Sequence, residues 1–360
     1  MSSPFLVNLS FLSNQPTGLS VYAANLFPHL KALQPTLLSA ALIDGFNCYP
    51  VPAGMTPDQG KLGHLRRLLW TQVQLPKIYQ QLQSRLLFSP ITEAPLNTAC
   101  RFVVTVHDFI ALRFPDRFSP LTVYHRYYIP QVLQQAQHIL CVSQATADDL
   151  VQFWAIPASK ITPIPLAYDA KVFRFLDLPT KNFFLYVGRL DPYKNVQRLI
   201  SAFAALPSRC DYELWIAGPP DRRYLPTLVS QVEDLGITPH VKFLNYVPRE
   251  QLPILMNQAI ALVFPSLWEG FGLPVLEAMA CGAPVITSNC SSLPEVAGDS
   301  AILVDPYRVE AIAEAMQTVA TNATLWSHYR SAGLARASQI SWTTTGQATV
   351  QVLKPFLEFA

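Results

Sequence analysis

The 360-residue sequence predicts an α/β fold of two Rossmann-like domains with a cleft between them, on three observations. Short apolar, β-rich runs alternate with helical segments, the pattern of parallel sheets covered by helices. The length suits two domains of about 100–200 residues each, not one. Between Pro163 and Pro179 the alternation stops in a proline-rich stretch with no helical period, which marks the boundary. The expected domains are 1–168 and 169–344, with a C-terminal helix over 345–360 completing the first.

In the first half the expected strands are Phe5–Leu9, Leu37–Ile43, Leu86–Phe88, Phe102–Val106 and His138–Val142. Helices are expected over Gly18–Leu33, Gly63–Gln83 and Leu121–Gln137. In the second half the strands are Phe183–Val187, Glu213–Ala217, Val241–Leu244, Ala261–Phe264, Pro284–Thr287 and Ala301–Val304. Helices Val196–Ala205, Tyr224–Leu235, Arg249–Asn257, Pro274–Cys281 and Arg308–Ala320 intervene. In sheets of this kind ligands bind beyond the carboxyl ends of the strands, so residues that immediately follow strands are the ones to inspect.

Composition excludes several classes. Half the residues are hydrophobic and only 14% are charged, too apolar for a disordered chain. A net charge of +2, spread evenly, lacks the basic excess of a nucleic-acid binder, so no nucleic-acid partner is expected. The six cysteines form no C-x-x-C pair, and no basic n-region or run of about 18 apolar residues occurs. The expected location is the cytoplasm, with peripheral contact to the inner membrane face left open.

The most informative segment follows the strand Ala261–Phe264 and reads PSLWEGFGLPVLEAMACGAPVIT, Pro265 to Thr287. Pro274 suits the first helical position and Gly282 the residue that ends the helix. Gly270 and Gly272 let a ligand approach the backbone, and free amides at the positive end of the helix dipole make an anion site. Glu269 lies in the loop and Glu277 is expected in the first helical turn. An ionised carboxylate only accepts, so each can take two hydroxyl donors. An anion flanked by two carboxylates that read diols describes a nucleotide sugar. The plainer reading also stands, because acidic residues near a helix start commonly serve only the dipole.

The stretch E-G-F-G-L-P-V-L-E resembles the E-x7-E motif of glycosyltransferase family 4, retaining enzymes of the GT-B fold. The resemblance continues through LPEVAGDSAILVDP, YVGRLDPYKNVQRLISAF, TVHDFIALRFPDRF and CVSQATADDL, close to the whole chain. It implies two Rossmann-like domains facing each other across a deep cleft. It also implies that Arg189 and Lys194 hold the donor diphosphate, that Glu269 reads the hexose and that Glu277 reads the ribose. The backbone of Gly270, Phe271, Gly272 and Leu273 would cradle sugar and phosphate, with the base near Asn245–Val247. Gly18 would approach the diphosphate from the N-terminal domain, and His107 would lie beside the donor sugar. Asp108 ranks lower, as a residue that caps or orients. The linker departs from the family's usual I-P-N-G-V-D, reading I-P-L-A-Y-D from Ile164 to Asp169.

No D-x-D occurs, and no His, Cys or Glu cluster has zinc spacing. Metal-independent transfer is therefore expected, with the nucleotide sugar as co-substrate and no further cofactor. The resemblance is greatest to bacterial mannosyltransferases of polysaccharide assembly, which makes GDP-mannose the first donor and UDP-glucose the next. The acceptor would be a glycan or a lipid-linked sugar. A nucleotide-sugar 2-epimerase of the same fold and a non-catalytic nucleotide-sugar binder remain the alternatives. A two-carboxylate glycoside hydrolase fits less well, because a phosphate site separates Glu269 from Glu277. The stretch Gly60–Tyr79 combines Lys61, His64, Arg66 and Arg67 with leucines and Trp70. Its first reading is a helix packed on its own sheet with basic residues outward; its second is a surface helix that meets anionic lipid.

Overall fold

A computed structural model describes residues 5–13, 18–115 and 119–358. The chain divides into two compact units, Met1–Leu166 with Trp342–Ala360, and Ala167–Ser341.

The first unit is built on a parallel sheet of β1 (Phe5–Asn8), β2 (Thr36–Ser39), β3 (Asn47–Pro50), β4 (Leu86–Ser89), β5 (Phe102–Val106), β6 (His138–Cys141) and β7 (Ile161–Pro163). Their order across the sheet is β3-β2-β1-β4-β5-β6-β7. The strands β1, β4 and β5 are buried throughout, which is why they read as unbroken apolar runs: helices cover both faces. The register sets Val7 beside Phe88 and Val106 beside Cys141.

Both edge strands, β3 and β7, lie outside the expected set. They are short, partly exposed and contain proline, so neither carries the apolar signal of a central strand. The expected strand over Leu37–Ile43 stops at Ser39, and Leu42 is exposed. The long helix expected over Leu121–Gln137 is three pieces: Pro120–Val123, a π-helical turn over Tyr124–Tyr128, and Ile129–Gln135. Helices Gln144–Trp154 and Ala323–Ser338 were not expected.

The second unit carries β8 (Phe183–Val187), β9 (Glu213–Ala217), β10 (Val241–Asn245), β11 (Ala261–Phe264), β12 (Val285–Ser288) and β13 (Ile302–Val304). The order is β10-β9-β8-β11-β12-β13, again all parallel. The helix Val196–Ala204 turns Val196, Leu199, Ile200 and Phe203 inward, the 3.6-residue stripe that its sequence shows.

The final helix, Trp342–Glu358, belongs to the first unit. Thr345 Oγ1 donates to the Pro165 carbonyl at 2.8 Å, and Trp342 lies 6.1 Å from the Tyr22 ring. A Cβ at Gly346 would fall 2.3 Å from the His29 Cβ, so this crossing admits only glycine. No helix among the described residues is long and apolar enough to cross a membrane.

Candidate active site

In the second unit β8 has β9 on one side and β11 on the other, so the strand order reverses between β8 and β11. Ligands of doubly wound sheets bind beyond the carboxyl ends of the strands at such a point. The loops that leave β8 and β11 carry most of the residues singled out in the sequence.

From the first loop, Lys194 Nζ donates to Glu269 Oε1 of the second loop at 2.6 Å. The two side chains are only 12% and 9% exposed, so neither is a solvated surface charge. The Lys194 ammonium also lies 5.3 Å from the Tyr193 ring and 5.4 Å from the Phe264 ring, faces that favour a cation. Arg189 differs: its side chain is 63% exposed and pairs with Asp191, Nε to Oδ2 at 2.8 Å. It remains free to turn toward a ligand.

The loops are locked together by groups that the sequence reading did not identify. Leu267 N donates to the Tyr193 carbonyl at 2.7 Å. Asn195 is buried in a left-handed conformation, and its Nδ2 donates to the carbonyls of Pro265 and Pro306 at 2.9 and 2.7 Å. Ser292 Oγ, fully buried, reaches the carbonyls of Glu269 at 3.0 Å and Phe271 at 2.7 Å, while Ser291 Oγ accepts from Glu269 N at 3.1 Å. An Asn just before a helix and a pair of serines after a strand were the available signals, but neither type marks such contacts by itself.

Gly270, Phe271, Gly272 and Leu273 lead into the helix Leu273–Ala280. Gly272 has φ near +105°, and an added Cβ would sit 2.7 Å from Leu293 Cδ2. Both strain and crowding thus require glycine. No acceptor among the described residues takes the Gly272 and Leu273 amides. They stand at the positive end of the helix, as an anion site requires.

Glu277 corrects an expectation. Because Gly272 caps the helix, Leu273 is its first residue and Glu277 falls in the second turn. It is half-buried beside the Arg249–Asp169 pair, whose Nη2 and Oδ2 are 3.1 Å apart. Burial pushes its carboxyl up to about 7; Asp169 adds to the rise and Arg249 opposes it. The sequence placed Glu277 with Glu269; the structure groups Glu269 with Lys194 and Glu277 with Arg249 and Asp169. At the expected base site Asn245 is left-handed, its carbonyl accepts from Gly218 N at 2.9 Å, and Tyr246 is exposed.

In the first unit His107 and Asp108 follow β5. His107 Nε2 donates to the Pro90 carbonyl at 2.9 Å and its ring meets Tyr22 edge-on at 4.7 Å. Burial lowers its basicity, so the ring is neutral with the proton on Nε2. Asp108 Oδ1 accepts from Ile110 N at 3.0 Å, the capping role expected of it. Gly18 opens the helix Gly18–Leu26, and no atom lies within 4 Å of where its Cβ would be. The packing of the described residues therefore does not itself demand glycine there. Among the described residues no cluster of His, Cys, Asp or Glu is arranged to hold a metal ion.

The Gly60–Tyr79 stretch folds as helices Gly60–Val73 and Leu75–Gln81. The outward-basic reading fails at Arg67, which is buried and bidentate to Glu93: Nε and Nη2 donate to its two oxygens, each at 2.7 Å. Leu62, Leu65, Leu69 and Val73 face outward instead, with Lys61 and Arg66 also exposed.

Two family models match: "Glycosyl transferases group 1" over residues 170–334 and "Glycosyltransferase Family 4" over residues 16–172. The chain is 34% identical over 271 residues to the O-antigen chain mannosyltransferase B of Escherichia coli, across 71% of this chain and 70% of the relative. It is 29% identical over 314 residues to the O-antigen chain mannosyltransferase RfbU of Salmonella typhimurium (strain LT2), across 84% of this chain and 86% of the relative. A sucrose-phosphate synthase structure from Thermosynechococcus elongatus shares the fold, with a TM-score of 0.78 at 18% identity over 99% of this chain and 100% of that one.

Proposed function

The chain belongs to glycosyltransferase family 4 and has the GT-B fold, and from that premise we propose that it moves mannose from GDP-mannose to a glycan or lipid-linked acceptor, with retention and without a metal ion. The observation that carries the donor site is the Lys194–Glu269 pair, which joins the loops on both sides of the point where the strand order reverses. The mannose assignment is supported by the two mannosyltransferase relatives, with UDP-glucose as the next donor.

In the free protein the two side chains satisfy each other. When the donor arrives, Lys194 turns to the diphosphate and Glu269 accepts hydroxyl protons from the hexose. Arg189 swings from Asp191 to the same diphosphate, and the amides of Gly272 and Leu273 complete the cradle. As the sugar–phosphate bond breaks, negative charge grows on the β-phosphate, where preorganised donors stabilise it; one such donor contributes about 2.7–4 kcal/mol. The acceptor oxygen attacks from the face that the phosphate leaves, and the departing phosphate takes its proton. Glu277 ionises on binding the ribose diol.

A thermal-shift panel of nucleotide sugars tests the assignment, since a ligand at 100 times its Kd adds about 2.7 kcal/mol of stability. A rise with GDP-mannose above all others is expected. No rise with any nucleotide sugar, or a donor-soaked crystal with Arg189 and Lys194 turned away from the phosphates, ends the reading. Release of a free epimerised sugar nucleotide without acceptor would favour the 2-epimerase, and binding without turnover the non-catalytic binder. A covalent glycosyl–enzyme adduct would refute the front-face mechanism.

The outward stripe of Leu62, Leu65, Leu69 and Val73, with Lys61 and Arg66 beside it, also supports peripheral contact with anionic lipid. Lys61→Glu with Arg66→Glu should abolish co-sedimentation with anionic liposomes; unchanged co-sedimentation removes the membrane contact. Arg67 is unsuited to this test because its charge serves Glu93 inside the fold.

A further inference from the structure

For Arg189 to reach a ligand it must leave Asp191, a residue only 9% exposed. A buried carboxylate stripped of its counter-charge is unfavourable, so the departure opposes binding unless a second cation takes over. The loop that follows β9 carries one. Gly218 starts that loop against the loop from β8: a Cβ there would lie 1.8 Å from the Gly188 carbonyl oxygen, so the two leave the sheet in backbone contact. Further along it, Arg223 sets Nη2 3.9 Å from Asp191 Oδ1. Among the described residues these two arginines are the ion-pair partners of Asp191.

The two are held differently. Arg189 Nη2 donates to Asp191 Oδ1 at 3.2 Å. The 2.8 Å approach of its Nε to Oδ2 is an ion pair but not a hydrogen bond, which leaves the buried Oδ2 without a donor among the described residues. The main chain at Arg189 is fixed, because the buried Tyr186 Oη donates to its carbonyl at 2.6 Å and Gly188 N donates to the Ala217 carbonyl at 2.9 Å. The side chain can therefore swing while the loop stays still. Arg223, by contrast, is anchored where it stands. Its Nε and Nη2 donate to the two oxygens of Asp221 at 3.0 and 2.6 Å, and its guanidinium lies 4.8 Å over the Tyr224 ring. Asp221 takes two of its five N–H groups, which leaves Nη2 a second hydrogen for Asp191. Asp191 and Tyr224 line the same crevice, about 50 Å³ in volume, so the carboxylate and the platform under the guanidinium already face one space.

We propose that Arg223 takes over Asp191 when Arg189 moves to the diphosphate, so that donor binding exchanges one arginine for another on the same buried carboxylate. Arg223 is then a positioning residue: it touches no part of the donor and acts through Asp191. The assignment rests on the donor reading above and adds the group that lets Arg189 go.

The test is calorimetric titration of GDP-mannose into the wild type, Arg223→Met, Asp191→Asn and the double variant. Arg223→Met removes the cation that relieves Asp191 and should raise the GDP-mannose Kd about tenfold. With Asp191→Asn in place there is no charge to relieve, so the same change should move Kd by less than about twofold. Arg223→Lys keeps a cation at the position and should recover most of the loss. The Arg223 side chain is 59% exposed, so its variants should keep the melting temperature of the wild type. An Arg223→Met effect of equal size in both backgrounds overturns the proposal, because the guanidinium would then contact the donor itself. A Kd that Arg223→Met leaves unchanged overturns it too. In a crystal soaked with GDP-mannose, Arg223 Nη2 should close on Asp191 to about 2.7–3.2 Å. A gap still at 3.9 Å or wider while Arg189 holds the diphosphate overturns the exchange without recourse to any Asp191 variant. A wild type that does not bind GDP-mannose instead fells the donor reading, and this proposal with it.

Discussion

Replacing Lys194 by methionine removes one half of an ion pair whose other half has almost no access to water. At 2.6 Å the Coulomb attraction is about 6 kcal/mol for an effective dielectric constant near 20. Desolvating two charges costs several kcal/mol each, so the intact pair contributes little net stability. Taking away one member is different. With Glu269 only 9% exposed, Lys194→Met leaves a carboxylate buried without its counter-charge, at a cost of about 3–5 kcal/mol. In a domain of 150–250 residues each kcal/mol lowers the melting temperature by about 2–4 °C, so a drop of roughly 10 °C is expected. Adding Glu269→Gln to Lys194→Met should recover most of that loss, although neither change alone is benign. The activity should not follow: the double variant stays at least about 10²–10³-fold down in kcat, the typical loss when one stabilising donor is removed, because the hexose contact of Glu269 is lost as well. Urea unfolding of the four proteins in the cycle, beside their kcat values, gives both quantities. Strictly additive stability losses would show that the two charges do not depend on each other, and the account of the site would be wrong.

Three further outcomes follow from the geometry. The Glu277 carboxyl is pushed up to about 7 from an unfolded value near 4.5, so the folded state holds that proton more tightly. Its contribution is present below about pH 4.5 and lost as pH rises through 7. Glu277→Gln should therefore match the wild type at pH 5 and exceed it at pH 8 by about 1–3 kcal/mol in urea unfolding, while weakening donor affinity; a difference independent of pH would contradict the burial. Gly272→Ala should lose about 1–3 kcal/mol, and Leu293→Ala added to it should not restore the loss, because space returns but the φ strain remains. Arg67→Met should cost about 3–5 kcal/mol by stranding Glu93, whereas Arg66→Glu should stay within about 0.5 kcal/mol in thermal unfolding.

The sequence made the central strands legible because helices bury both of their faces, leaving runs such as FVVTV and ALVF with no polar interruption. Edge strands such as ITP escape the same reading, since an edge needs few apolar residues. Around the site, glycine and proline spacing located the helix start to within one residue. That single residue mattered: with Leu273 as first position, Glu277 moves out of the first turn and toward Arg249, a partner 28 residues upstream in sequence. The inward course of Arg67 was equally invisible, because its counter-charge Glu93 lies on a different element. Roles of Asn195 and Ser292 depend on carbonyls from separate loops, which no local pattern encodes.

The helix Trp342–Glu358 ties the end of the described chain to its beginning, with Gly346 seated on His29. During synthesis the amino-terminal unit must therefore wait, one layer short, until residues beyond 341 emerge, while the other unit already has all of its own segments. A nascent chain arrested before Trp342 would expose the His29 surface to chaperones and proteases. Removal of residues from Phe356 onward should register first at His138, whose ring Phe356 meets at 5.7 Å, far away along the chain.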